Sequence, residues 1–162
     1  MRELSCPLIA APRAVIVGYG PVGACRAETL ARRGCRLAII SSDVQSRCSA
    51  EADHPSAWIA GSAEELDAGG YDWRECLTVV TIPVASRCQM FHQLAYYGVR
   101  RMAFETPLAE SPLERANMLK RAAREGISIR LNPPAIRIVN AFSSQTMTAG
   151  VSSWALDFEV TV

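Results

Sequence analysis

One hexapeptide constrains this chain more than any other feature. Gly18-Tyr19-Gly20-Pro21-Val22-Gly23 follows a continuous apolar run, Ala14 to Val17, and opens an amphipathic stretch that Gly34 ends. An apolar run of four residues suits a strand buried on both faces of a parallel sheet. A GxGxxG segment between such a strand and a helix is a phosphate-binding turn. Gly18 makes the tight turn, Gly20 lets the backbone approach a pyrophosphate, and Gly23 lets helix and strand pack closely. Free N–H groups and the helix dipole then favour an anion at the helix start, around Tyr19, Pro21 and Val22. Pro21 gives up one N–H but fits the first helical turn.

The rest of the chain repeats strand and helix. A helix is expected over 21–33 with Val22, Cys25, Thr29 and Leu30 on one face, then a strand over 37–40. Residues 44–56 read as a polar loop with room for a turn of helix, and Trp58-Ile59-Ala60 as a short third strand. Ser62 with Glu65 three residues on is a capping-box pattern, and Gly69-Gly70 breaks that helix. Strands are expected over 77–82, 102–104 and 127–131, with helices over 86–97 and 111–125. Ser111-Pro112-Leu113-Glu114 is a sharp helix start. A further helix is expected over 135–144. Residues 152–162 alternate Trp154, Leu156, Phe158, Val160 and Val162 with smaller or polar residues, a half-exposed strand. The class is therefore α/β, a Rossmann-like doubly wound parallel sheet over residues 1–150, ending in one strand, 151–162, of a second domain. An exposed apolar strand invites pairing with a second copy or another protein.

Composition fits one globular domain: 162 residues, 49% hydrophobic and 20% charged. Seventeen basic and sixteen acidic residues leave a charge of +1, so nothing points to nucleic acid. No apolar run approaches the roughly 20 residues of a membrane span. The six cysteines, at 6, 25, 35, 48, 76 and 88, form no CxxC pair, and neither His54 nor His92 has a metal-like partner spacing. No metal is expected, and reduced cysteines packing as small hydrophobes suit a cytoplasmic protein. The first residues run straight into the glycine turn, which speaks against a signal peptide.

The end of the second strand chooses the dinucleotide. A carboxylate there accepts from the ribose 2′-hydroxyl of NAD, whereas small residues with a nearby cation admit the 2′-phosphate of NADP. Asp43 lies 20 residues after Gly23. The best register puts Ser42 at the acid position beside Ser41, with Arg47, Arg26 or Arg32 as the cation. NADP and NAD both remain open, with a slight lean to NADP.

Two further segments carry a family resemblance over about residues 12–138. Thr81-Ile82-Pro83 and Glu105-Thr106-Pro107-Leu108-Ala109 both close expected strands, and the 111–126 helix follows. With the glycine turn, they resemble the nucleotide-binding half of the glucose–fructose oxidoreductase and inositol dehydrogenase family (Gfo/Idh/MocA). The resemblance implies that Thr81, Ile82, Pro83 and Pro107 line the cofactor. It also puts Glu105 near the nicotinamide ribose or carboxamide, although a solvated or helix-capping carboxylate fits the residue equally. The family's catalytic lysine falls at Thr106, which has no ammonium, and its common histidine four residues after the proline is Arg87. Glu105 and Thr106 are thus the candidate catalytic positions. The family's substrate residues lie mostly in a second, mainly antiparallel domain. The readings that follow are hydride transfer between NAD(P) and a sugar, cyclitol or related carbonyl or imine with a second domain or partner, a non-catalytic dinucleotide sensor, or a purely structural partner protein. Tyr19 is expected over the phosphates or exposed, His92 on the outer side of its helix, Arg137 near the cleft, and Lys120, Arg121 and Arg124 on a solvated face.

Overall fold

The computed structural model describes residues 11–132. Six strands form one sheet: β1 (Arg13–Val17), β2 (Arg36–Ile40), β3 (Trp58–Ala60), β4 (Cys76–Val80), β5 (Arg101–Glu105) and β6 (Ser128–Asn132). Five helices alternate with them: α1 (Pro21–Arg32), α2 (Val44–Asp53), α3 (Ala63–Ala68), α4 (Val84–Tyr96) and α5 (Pro112–Glu125). The strand order is β3-β2-β1-β4-β5-β6, and every pairing is parallel. This is the doubly wound Rossmann-type α/β fold expected from the sequence. The order reverses between β1 and β4, and a crevice opens there at the carboxyl ends of the strands.

Strand periodicity sorts the core onto two faces. Val15, Val17, Ala38, Ile40, Val80, Met102 and Phe104 point one way, against Leu66 of α3, Phe91 and Leu94 of α4, and Met118 of α5. Ile16, Ile39, Val79 and Ala103 point the other way, against Ala27 of α1 and Ala50 of α2. Full burial of each large aliphatic side chain is worth roughly 1.5–3 kcal/mol, so the central strands anchor the domain. The anticipated start of α5 is present as a reciprocal capping box. Ser111 Oγ accepts from Glu114 N and Glu114 Oε2 accepts from Ser111 N, both at 3.2 Å. Gly126 ends that helix at φ +66°.

Three expectations need correction. Residues 44–53 form a helix rather than a loop: the Asp43 carboxylate accepts from Ser46 N at 2.7 Å and caps it. The inward face of α1 is Gly23, Ala24, Ala27 and Leu30, while Cys25 and Thr29 are exposed, because the sheet takes the small residues at close range. Of the five described cysteines, all free, only Cys76 is buried. The expected helix 135–144, the strand 152–162 and Arg137 lie outside the described residues.

Candidate functional site

The glycine turn lies at the switch point and its geometry demands glycine twice. Gly18 adopts φ +95°, and its N–H donates to Ile40 O at 2.8 Å, tying the turn to β2. A Cβ at Gly23 would stand 2.0 Å from the Gly18 carbonyl oxygen, so α1 reaches β1 only with glycine there. Thr81 locks the turn from the other side. Its N–H donates to Val17 O at 2.9 Å and its hydroxyl to Gly18 O at 2.9 Å.

A dinucleotide fits what this turn presents. A Cβ at Gly20 would meet nothing within 4 Å, so the backbone is open to an approaching group. No side chain caps α1, and its first turn holds no acid. The first amides of a helix have no acceptor within it, and here they and the dipole are left for an anion. The turn opens into a cleft of about 420 Å³. Gly18, Gly20, Ser41, Ser42, Thr81, Ile82 and Pro83 line it, as does Gly61-Ser62 at the end of β3, of which the sequence marks only Ser62, and that as a helix cap. The rule that ligands lie beyond strand carboxyl ends points to that pair as well. A wider groove of about 700 Å³ lies at the opposite end of the sheet, beside the first residues of β1, β2 and β3. It is remote from the glycine turn, and open α/β sheets bind ligands at the other edge.

At the β2 end, Ser41 is buried and Ser42 reaches the cleft. Asp43 is committed to its helix cap, and its hydrogen bonds from Ser46 hold its carboxyl below the ordinary aspartate range. The cation at this edge is Arg47, whose Nη1 donates to Ser41 O at 2.8 Å and Ser42 O at 3.1 Å. Arg26 and Arg32 are elsewhere: Arg32 pairs with Glu28 along α1, and Arg26 pairs with Glu105.

Glu105 is neither solvated nor a helix cap. It is 6% exposed, and its Oε1 accepts from Arg26 Nε at 3.1 Å and Nη2 at 3.0 Å. Its Oε2 is buried without a partner. A buried carboxylate oxygen left bare is costly, and Glu105 is not among the residues that line the cleft. Thr106 is exposed, with its N–H on Asn132 O at 3.1 Å, and is joined to Pro107 by a cis peptide. Tyr19 is not exposed. It is 6% exposed, its hydroxyl donates to Asp53 Oδ2 at 2.8 Å, and its ring packs edge-on to His54. Burial first, then the Asp53 bond, pushes that hydroxyl up to about 12. Arg121 is not merely solvated: its Nη1 lies 2.8 Å from His92 Nδ1, joining α5 to α4. Among the described residues no group of three His, Cys, Asp or Glu could hold a metal, and no helix is long and apolar enough to cross a membrane.

The fold and the turn define a Rossmann-type dinucleotide-binding domain. More particularly, residues 9–97, over half of the chain, match the family NAD_binding_7, described as NAD(P)-binding, and the chain belongs to it. NAD(P) is its cofactor, a carrier that supplies hydride-transfer chemistry when bound. No curated protein matches the sequence. Solved structures do. An oxidoreductase from Agrobacterium radiobacter in complex with NAD+, L-tartaric acid and magnesium is 17% identical with a TM-score of 0.65, covering 74% of this chain and 34% of its own. Apo scyllo-inositol dehydrogenase from Lactobacillus casei is 15% identical with a TM-score of 0.65, covering 75% and 36%. GenD2 from gentamicin A biosynthesis, in complex with NAD, is 18% identical with a TM-score of 0.66, covering 83% and 39%. The chain thus spans between a third and two-fifths of these proteins, and what they share with it is the Rossmann-type nucleotide-binding fold.

Proposed function

We propose that this chain is the nucleotide-binding half of a Gfo/Idh/MocA-type oxidoreductase and that it prefers NADP(H). The observation that carries the reading is the open, uncapped Gly20–Pro21 helix start at the switch point, facing a cleft that runs from Ser42 to Pro83. In this reading Gly18, Gly20 and the first amides of α1, including Val22 and Gly23, hold the pyrophosphate. Ser41, Ser42 and Arg47 take the 2′-phosphate, with Asp43 withdrawn into its cap. Thr81, Ile82, Pro83 and Pro107 flank the nicotinamide half, and Glu105 Oε2 accepts a hydrogen bond from its ribose or carboxamide. The substrate is a sugar, cyclitol or related carbonyl or imine, bound with a second domain or with a partner subunit. The proposal places the protein in the cytoplasm, where exposed thiols such as Cys25 and Cys48 stay reduced. Self-association in sedimentation is expected.

Titration with NADPH and with NADH, followed by quenching of Trp58 and Trp73 fluorescence and by calorimetry, tests the reading. One-to-one binding with NADPH at least tenfold tighter is expected, a difference of about 1.4 kcal/mol. Arg47→Met should erase the difference. Tighter NADH binding would overturn the NADP preference, and binding of neither would overturn the proposal. Thr106 favours one second reading, a dinucleotide sensor without turnover, because threonine supplies neither the charge nor the titratable amine of a lysine. Stoichiometric NADPH binding by the full chain, with no oxidation against aldoses, ketoses and inosose-type ketones, would support it.

A further inference from the structure

One side chain holds the carboxyl edge between β4 and β5 together. Arg87, in the first turns of α4, is 7% exposed. Its Nε donates to Ile82 O at 2.9 Å, and its Nη1 donates to the carbonyl oxygens of Glu105 and Pro107. Three separate segments meet at this planar cation: the loop leaving β4, the last residue of β5, and the turn after Thr106–Pro107. Burial lowers the pKa of the guanidinium, and the Glu105 charge works the other way. Arginine stays protonated in either case, and its rigid fork fixes several acceptors at set separations.

One of the three segments lines the cleft directly, at Ile82 and Pro83 beyond β4. The proposed function brings Glu105 and Pro107, beyond β5, to the same end. The other half, at Ser42 and Gly61, lies across β1 and has no bond to Arg87 among those described. We propose that Arg87 is a positioning residue for the nicotinamide half of the site. It sets Glu105 and the Pro107 turn against Ile82–Pro83 without touching the cofactor. The inference rests on the NADP(H) reading above and adds to it the residue that preorganises one end.

The test compares NADPH with adenosine 2′,5′-bisphosphate, which carries only the adenine half. Arg87→Lys keeps the charge and loses the fork. Folded Arg87→Lys should bind NADPH about tenfold more weakly and the bisphosphate within about twofold of the unsubstituted protein. Equal losses for both ligands, or no loss for either, would overturn the inference and leave Arg87 a general staple. Hydrogen exchange on the unsubstituted protein keeps the question open to test where the variant does not fold. NADPH should add protection at 82–84 and 105–108, and the bisphosphate should not. Protection by both or by neither overturns the inference. Failure of the unsubstituted protein to bind NADPH is a separate result that overturns the functional reading itself.

Discussion

Gly20 and Gly23 sit three residues apart in one turn, yet their substitution by alanine should fail in opposite ways. At Gly23 the added Cβ lies 2.0 Å from Gly18 O, with Gly18 C and Thr81 Oγ1 both at 3.0 Å. Real Cβ contacts do not come under 3.0 Å, so α1 must withdraw from the turn by about 1 Å, and the nearest obstacle is backbone. Such overpacking costs roughly 1–3 kcal/mol. At about 2–4 °C per kcal/mol for a chain of this size, Gly23→Ala should melt about 2–12 °C lower, and it should bind NADPH poorly because the helix start has moved. At Gly20 the backbone is at φ −84° and a Cβ meets nothing within 4 Å. Gly20→Ala should therefore melt within about 2 °C of the parent, the small loss reflecting alanine's poorer N-cap preference. Its methyl group nevertheless fills the space through which a pyrophosphate reaches the amides, so NADPH affinity should fall at least tenfold. Calorimetric melting and fluorescence titration of both variants decide the matter. An unchanged NADPH affinity in Gly20→Ala, or equal destabilisation of both variants, would refute the assignment of separate roles.

Arg26→Met strands the Glu105 carboxylate, whose side chain is 8% exposed and whose second oxygen has no partner, and should cost about 3 kcal/mol in urea unfolding. The double variant Arg26→Met/Glu105→Leu should recover most of that loss, and a single variant within about 1 kcal/mol of the parent would refute the pairing. Tyr71 carries a buried hydroxyl with no partner, so Tyr71→Phe should be neutral or stabilising by up to about 1 kcal/mol at pH 7, whereas Tyr19→Phe loses the Asp53 bond and about 1 kcal/mol. Burial raises both hydroxyls to about 12, above the unfolded value of 10.0. Their stabilisation is therefore complete below pH 10 and is lost as the pH rises from 10 to 12, and the two Phe variants should flatten that decline in chemical denaturation.

Local chemistry made much of the fold legible. The glycine turn, the Ser111–Glu114 box and the β-branched run of β4 each state their structure within a few residues. What escaped depended on contacts between distant segments. Helix α2 has one fully buried side chain, Ala50, and no apolar stripe to announce it, so a polar stretch read as a loop. The same helix explains two contacts that sequence does not announce: the Asp43 cap at its start and the Tyr19 hydroxyl on Asp53 at its end. The inward face of α1 was misjudged for another reason. Hydropathy points to Val22 and Cys25, whereas close packing on the sheet selects size, and Gly23 and Ala27 take the contact. Arg26 and Glu105 are 79 residues apart, and nothing local joins them.

The substitutions at positions 87 and 106 have a joint consequence for chemistry. In the resembled family these places hold a histidine and a lysine, two groups able to carry a proton near neutral pH. Here Arg87 has its N–H groups on three carbonyls and does not release a proton, and Thr106 does not titrate. Glu105 is held by Arg26. The one carboxylate among the described residues lining the cleft is Glu64, at the start of α3, where its hydrogen bonds hold it below the ordinary glutamate range. A base of that strength is a poor partner for a proton transfer at neutral pH. The described residues therefore retain what orients a dinucleotide and lack a group matched to protonating an alkoxide or amide as hydride arrives. Where a carbonyl or imine is reduced on this scaffold, the proton comes from another group or from water. Thr106→Lys adds a titratable amine without disturbing the clamp, since that side chain is exposed and only its backbone N–H is bonded, and faster NADPH oxidation by the variant than by the parent is the outcome that checks it.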